Sequence, residues 1–288
     1  MATSYAHEFS AMRRAAHAAT VVIEKHLADG FKHGFKADHT FVTVADEAAE
    51  DAIKKALKKE CPEYGYLGEE RGAEGPQNAR FIIDPIDGTG NFIRDLPSYG
   101  PMIGLEIDGE VVAGVLRFTQ QRDTYWASKG GGAFHAFDAD IGGGRPTTPQ
   151  RLHVSKASKL SESFFSFDGL FKKWPKHADT FDVFNRACLN SRFYSCLTSQ
   201  AFVASGRIDF ALIPYWQPWD FAAARILVEE AGGRFTNQHG QATIFGKTNY
   251  ASDYTKPHYA DWIIASNGRV HDDVLELLNA NLPENFKK

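Results

Sequence analysis

Between Met1 and Gly30 the apolar positions Ala11, Met12, Ala15, Ala19, Val22 and Ile23 recur near the helical period, which predicts an amphipathic helix. An irregular stretch over 31–42 follows. Thr43 then stands three positions before Asp46, a capping-box-like pairing that predicts a second helix over 44–59. Phe81-Ile82-Ile83 reads as a short buried strand ending at Asp84, where Pro85 is expected to make the chain turn. Strands near 101–107 and 110–119 are joined through Asp108-Gly109, a strong hairpin signal. Residues 124–128 and 133–136, separated by Gly130-Gly131-Gly132, read as strand, turn and strand.

The run Gly142-Gly143-Gly144-Arg145-Pro146 breaks regular structure, and we place the boundary between two halves there, 1–145 and 146–288. Beyond it the pattern alternates. Strands are expected over 164–167, 193–196, 209–213 and 262–265, and helices over 181–189, 199–205, 221–231 and 271–280. The third of these helices is stopped by Gly232-Gly233. Strands alternating with helices predict a layered α/β second half, against a first half whose antiparallel sheet is covered by helices.

Composition narrows the function classes. Of 288 residues, 43% are hydrophobic and 24% charged, with a net charge of −4. Such a balance fits a globular chain and offers no basic field to nucleic acid or an anionic membrane. The densest basic run, Lys54, Lys55, Lys58 and Lys59, sits beside Asp51 and Glu60 and reads as a solvated helix face. Cys61, Cys188 and Cys196 form no C-x-x-C pair and leave an odd thiol. That excludes a zinc knuckle and fits a reducing, cytoplasmic setting. The first residues lack the basic start and apolar core of a secretory signal, and no apolar stretch approaches a membrane span.

Four acids carry the chemistry: Glu69, Asp84, Asp87 and Asp220. Asp84 and Asp87 flank Pro85-Ile86 at a strand end, so a turn there can aim both carboxylates and the Ile86 carbonyl at one point. Hard cations such as Mg²⁺ prefer these oxygen ligands. Gly88 then permits close backbone approach, and Thr89 opens a short helix at Gly90-Asn91-Phe92. The N–H groups of Gly88 and Thr89 would cradle a phosphate. Taken singly, Glu69 beside Glu70 also fits a surface turn, and Asp220 before the helix at 221–231 also fits an ordinary N-cap.

Together these stretches resemble the inositol monophosphatase superfamily. Gly68-Glu69-Glu70, Asp84-Pro85-Ile86-Asp87-Gly88-Thr89-Gly90-Asn91-Phe92, and Trp219-Asp220 with Glu230-Ala231-Gly232-Gly233 are similar to its three signatures, in order. Val42-Thr43-Val44-Ala45-Asp46 is similar to its helix-start motif, and Lys36 stands where many members carry a lysine. The resemblance implies an α+β (α/β) layered sandwich of alternating α-β-α-β-α layers, a Mg²⁺ requirement of two or three ions per site with Mn²⁺ as a substitute, and a homodimer. It implies that Glu69, Asp84, the Ile86 carbonyl, Asp87 and Asp220 hold the metals. It further implies that Glu69 and Thr89 position a metal-bound water, with the Thr89 hydroxyl polarised by Asp46.

Substrate choice turns on the pocket. The histidinol-phosphate phosphatase branch usually places an acid near Ser195-Cys196, and it and many inositol phosphatases place a glutamate near Ile213. Here those positions are Cys196 and Ile213, followed by Tyr215 and Trp216. A pocket without both acids has little to pair with an ammonium group. The expected substrate is therefore an inositol-phosphate-like polyol phosphate, with histidinol phosphate second. A sugar bisphosphate or phosphoadenosine phosphate stays open as an alternative. The contrasting class is a non-catalytic regulatory protein. His135 and His153 lack metal-site spacing and read as surface or packing residues.

Overall fold

The structure, a computed structural model, describes residues 5–30, 33–35, 41–137, 148–168, 176–214, 217–242 and 262–282. Helix α1 (Ala6–Asp29) carries the expected apolar face: Ala11, Met12, Ala15, Ala19 and Ile23 are fully buried. The stretch that read as irregular contains two strands, β1 (His33–Phe35) and β2 (Phe41–Thr43), paired antiparallel. Three residues are too few for alternation to register in a sequence. Helix α2 (Val44–Glu60) starts on the capping box that Thr43 and Asp46 predict. The Ala45 N–H donates to Thr43 Oγ1 at 3.0 Å, and Asp46 Oδ2 accepts from the Thr43 N–H at 2.8 Å.

The larger sheet comprises β3 (Gly65–Gly68), β4 (Gly72–Glu74), β5 (Ala79–Asp87), β6 (Gly100–Ile107), β7 (Glu110–Phe118), β8 (Asp123–Ser128), β9 (Gly132–Phe137) and β10 (Gln150–Arg151), with a short helix α3 (Thr89–Ile93) after β5. Their order is β10-β9-β8-β7-β6-β5-β3-β4, antiparallel except for the parallel β3–β5 pair. One expectation is corrected here. The strand does not end at Asp84 but runs on to Asp87. Asp84 pairs with Met102 and Asp87 with Gly100, so β5 spends one residue more than β6 between them. The chain bulges instead of turning, and Pro85, which has no N–H to contribute to the ladder, sits inside the bulge.

The second group begins with β11 (Phe164–Phe167), α4 (Lys176–Ala187), β12 (Asn190–Arg192) and α5 (Cys196–Ala204). It continues with β13 (Phe210–Ile213), α6 (Pro218–Glu230), β14 (Arg234–Asn237), β15 (Ile263–Ser266) and α7 (His271–Asn281). The strands form a sheet ordered β12-β11-β13-β15-β14, in which β12, β11 and β13 are parallel and the remaining pairs antiparallel. The strand expected over 193–196 is instead Asn190–Arg192. Phe193 and Tyr194 mimic strand residues, but Ser195 is already the N-cap of α5. Strand β14 was not legible, because Arg234 and Asn237 dilute its alternation. The expected boundary at Gly142–Pro146 lies outside the described residues.

Alternation within single strands explains the layering. Along β13, Phe210 and Leu212 join one apolar cluster with Phe165, Phe184, Val274 and Leu278, while Ala211 and Ile213 join another with Leu197, Ala222 and Leu227. The smaller sheet therefore has α4 and α7 on one face and α5 and α6 on the other. Along β5, Ile82 faces the α6 cluster, and Phe81 and Ile83 face that of α1 and α2. The result is helices, sheet, helices, sheet, helices. Helix α6 lies at the centre and approaches the larger sheet closely: a Cβ on Gly114 would stand 2.3 Å from the Ala223 carbonyl oxygen. Among the described residues no helix is long and apolar enough to cross a membrane.

Candidate active site

Three chain segments deliver the acids to one region. The first is the end of β3. The Glu69 N–H donates to the Ile83 carbonyl at 3.1 Å, which ties the Gly-Glu-Glu turn to β5. Beneath it lies Glu50 of α2, fully buried. Its carboxylate accepts from the N–H groups of Glu70 at 2.7 Å and Arg71 at 3.2 Å, and it pairs with Lys54 at 3.0 Å. A Cβ on Gly68 would stand 2.1 Å from Glu50 Oε1, so the motif glycine makes room for the acid that holds the turn. Nothing in the spacing around Glu50 announces this role, since an acid in a helix reads as exposed.

The second segment is the β5 bulge and α3. Asp84 and Asp87 are buried, at 2% and 7% exposure. Asp84 Oδ1 accepts from the Ile86 N–H at 3.0 Å, bending the side chain back over the bulge. Asp87 Oδ1 accepts from the Leu197 N–H of α5 at 3.1 Å. Gly88 caps α3 in the left-handed region, at φ 81°, and a Cβ there would meet the Ser98 carbonyl oxygen at 2.6 Å. No other residue fits both demands. As the start of a helix, Gly88 and Thr89 present N–H groups that the helix itself does not use. Thr89 Oγ1 lies 3.2 Å from Asp46 Oδ1 and 3.1 Å from the Ile86 carbonyl oxygen.

The third segment is the start of α6. Asp220 is not the N-cap that the sequence suggested. The helix begins at Pro218, and Asp220 is its third residue, with a side chain that accepts from the Gln217 N–H. Pro218 suits the first helical position, where its missing N–H costs nothing. Asp46 and Asp220 thus do the same local work, each capping a helix start while facing the cleft. Gln200 of α5 donates to the Asp220 carbonyl at 3.0 Å and to that of Cys196 at 3.0 Å, locking α5 to α6.

Burial and repulsion by neighbouring acids raise both Asp87 and Asp220. Asp87 is held above the usual carboxylate range by burial and by repulsion from Asp168 and Glu69, against hydrogen bonds from Leu197 and Ser195 that pull it down. Asp220 is pushed well above its ordinary value by burial and then by Glu69, Asp87 and Asp168. Among the described residues no lysine or arginine pairs with Asp87 or Asp220. Among the described residues no three His, Cys, Asp or Glu side chains already stand close enough together to hold a metal ion.

Asp168 is the residue that sequence reasoning missed. It follows β11 as Asp168-Gly169, and an acid directly after the phenylalanine-rich strand Phe164–Phe167 is the signal that could have found it. It is half-buried, accepts a hydrogen bond from Cys196 Sγ at 3.3 Å, and is raised mainly by burial. Cys196 is nearly buried, at 7%, and burial together with Asp168 holds its thiol protonated. Ile213 is 1% exposed and belongs to the core between the sheets. Tyr215, Trp216 and Lys36 lie outside the described residues. His135 is buried and paired with Asp123, whereas His153 is exposed.

Comparison with known proteins gives consistent relatives. The model of the inositol monophosphatase family matches residues 5–281. The chain is 37% identical over 248 residues to the histidinol-phosphatase of Mycobacterium tuberculosis, covering 85% of this chain and 87% of that protein. It is 32% identical over 253 residues to the inositol-1-monophosphatase of Caulobacter vibrioides, covering 83% and 88%. Among solved structures it is similar to the IMPase of Thermotoga maritima, with a TM-score of 0.76 and 26% identity over 94% of this chain and 95% of that one.

Proposed function

The chain belongs to the inositol monophosphatase family and is a phosphatase of phosphate monoesters, and from that premise we propose that it hydrolyses a small phosphorylated alcohol with Mg²⁺. The observation that carries this reading is the mutual repulsion of Glu69, Asp87 and Asp220, carboxylates brought from three segments into a partly dry cleft. Converging buried carboxylates without cations lose their charge or weaken the fold, and divalent ions remove that conflict. The donors are hard oxygens, which suits Mg²⁺ and, as a substitute, Mn²⁺. Glu69, Asp84, the Ile86 carbonyl, Asp87 and Asp220 would hold the ions. When bound, such ions lower the pKa of a coordinated water and offset charge on the leaving oxygen.

The chain's own residues do the rest. Thr89, with its proton directed to Asp46, keeps its oxygen lone pairs for a hydrogen bond from the attacking water, which Glu69 steadies from the other side. The N–H groups of Gly88 and Thr89 orient the phosphate. Phosphoryl transfer demands positioning and charge stabilisation, so no covalent nucleophile is required. A homodimer in the cytoplasm is part of the same proposal. The test is phosphate release from inositol 1-phosphate and histidinol phosphate. Release with Mg²⁺ and none after chelation is expected. A folded chain that releases phosphate from no small monoester contradicts the proposal.

A further inference from the structure

We propose that a cavity at the end of α6 remote from Asp220 is a second ligand site, which takes a small organic anion carrying two or more phosphoryl or carboxyl groups. The cavity has a volume of about 690 Å³, the size of a small-molecule site. Val154, Gly232 and four basic side chains, those of His153, Lys156, Arg234 and Arg269, line it. The catalytic acids stand elsewhere. Asp220 lies in the first turn of α6 and Ala231, at the cavity, is its C-cap, which puts about 16 Å of helix between them. The smaller sheet gives the same separation. Asp168 is held to Leu212 near one end of β13, whereas the N–H of Asn267, in the cavity wall, donates to the Asp209 carbonyl at the other end.

Charge and rigidity separate this cavity from an ordinary surface depression. Three permanent cations and a histidine line it and no acid does, in a chain whose net charge is −4. Exposed arginines elsewhere sit against acids: Arg14 on Glu60, Arg71 on Asp51 and Arg186 on Asp182. Among the described residues Lys156 and Arg269 have no such partner. Arg234 shares its charge with Asp272, to which one Nη donates at 2.7 Å, so the excess comes from the other two. They reach the cavity from separate segments, the stretch after β10 and the turn before α7, and a ligand with two anionic groups can engage both. The walls are fixed before any ligand arrives. Asn267, 2% exposed, donates to Ser155 Oγ and the Ala157 carbonyl, each at 2.9 Å. Its Oδ1 accepts from the N–H groups of Arg269 at 2.9 Å and Val270 at 3.2 Å. One buried amide thus clamps the wall carrying Lys156 to the wall carrying Arg269. The end of α6 opposes an anion with about half a charge, less than the two cations supply, and its Ala231 carbonyl already accepts from the Val154 N–H at 3.1 Å. Asp272 and Asp273 follow at once in α7, which confines the positive field to the cavity and leaves no strip for a nucleic-acid strand.

The experiment titrates methylenediphosphonate, a non-hydrolysable diphosphate analogue, into chelator-stripped protein by isothermal calorimetry. Without divalent ions the catalytic cleft presents carboxylates that repel the probe, so uptake reports the second site. The wild type is expected to take up about one probe per chain, with Kd raised about tenfold or more in the double variant Lys156→Ala/Arg269→Ala and within about twofold of the wild type in Asp87→Asn. Both replaced cations are exposed and the Asn267 clamp is untouched, so the double variant is expected to keep the wild-type Tm. Lys156→Glu, which puts repulsion in place of attraction at one position, gives the same reading if the double variant does not fold. A folded wild type without saturable uptake overturns the assignment, as does a folded double variant or Lys156→Glu that binds as tightly as the wild type. So does Asp87→Asn if its affinity shifts as far as that of the double variant, which places the probe in the cleft.

Discussion

The Thr89 hydroxyl oxygen lies 3.2 Å from Asp46 Oδ1, while the other oxygen of Asp46 accepts from the Thr43 N–H and hydroxyl at 2.8 and 2.7 Å. One carboxylate therefore fixes the start of α2 and offers the Thr89 hydroxyl an acceptor beside the Ile86 carbonyl. Thr89→Val, which keeps the shape and deletes the hydroxyl, is expected to lower kcat by about a hundredfold or more with little change in KM. Thr89→Ser is expected to stay within about tenfold of the wild type. Steady-state kinetics on any cleaved monoester check both.

Asp220→Asn separates function from stability. An asparagine oxygen can still accept from the Gln217 N–H, so the cap survives, while a repelling charge leaves the cleft. At pH 8 in chelator the variant's Tm should be higher than that of the wild type, and its Mg²⁺-induced rise in Tm should be lost. Turnover should fall by about a hundredfold or more. Thermal melts with and without Mg²⁺ read the first two effects, and phosphate release reads the third.

Gly114 links packing to the site. A Cβ there would press on the Ala223 carbonyl and would stand 2.7 Å from Ile226 Cγ2, both on α6. Gly114→Ala is expected to destabilise by about 1–3 kcal/mol. Because α6 carries Asp220 in its first turn, the same variant should need more Mg²⁺ for half-maximal activity. Urea denaturation and a Mg²⁺ titration of activity measure the two effects together.

His271 supplies a pH dependence. It is fully buried, with its ring nitrogens 2.7 Å from Ser266 Oγ and 2.8 Å from Thr236 Oγ1. Burial, assisted by Arg234, pushes its pKa down from 6.5 to about 4. Between those values the unfolded chain binds a proton that the folded chain refuses. Its stabilising contribution is thus complete above pH 6.5 and is lost as the pH falls towards 4, by up to about 1.4 kcal/mol per pH unit. The stability gap between the wild type and His271→Gln should therefore shrink from pH 7 to 4.5 in urea titrations. A constant gap would count against a neutral buried imidazole.

Much of this was legible because local rules and tertiary demands agree. Thr43 and Asp46 announced α2, Asp108-Gly109 the β6–β7 hairpin, and Gly232-Gly233 the end of α6. The motif around Asp84 and Asp87 pointed to oxygen donors beside a helix start. What stayed hidden depends on contacts between distant segments. Pro85 argued for a turn, yet pairing with β6 carries the strand past it through a bulge. Phe193 and Tyr194 read as strand, yet the cap at Ser195 starts α5. Glu50 and Asp168 are acids whose roles come from what the fold places against them, the Glu69 turn in one case and Cys196 in the other. Neither contact leaves a trace in spacing.

The central claim is that carboxylates from the ends of β3 and β5 and the start of α6 form a site for divalent cations. Isothermal titration of Mg²⁺ into chelator-stripped wild type, with Asp87→Asn alongside, tests it most directly. The account predicts saturable uptake of about two ions per chain, weakened or abolished in the variant. A folded wild type that takes up neither Mg²⁺ nor Mn²⁺ saturably, or a variant that binds them as the wild type does, would contradict it.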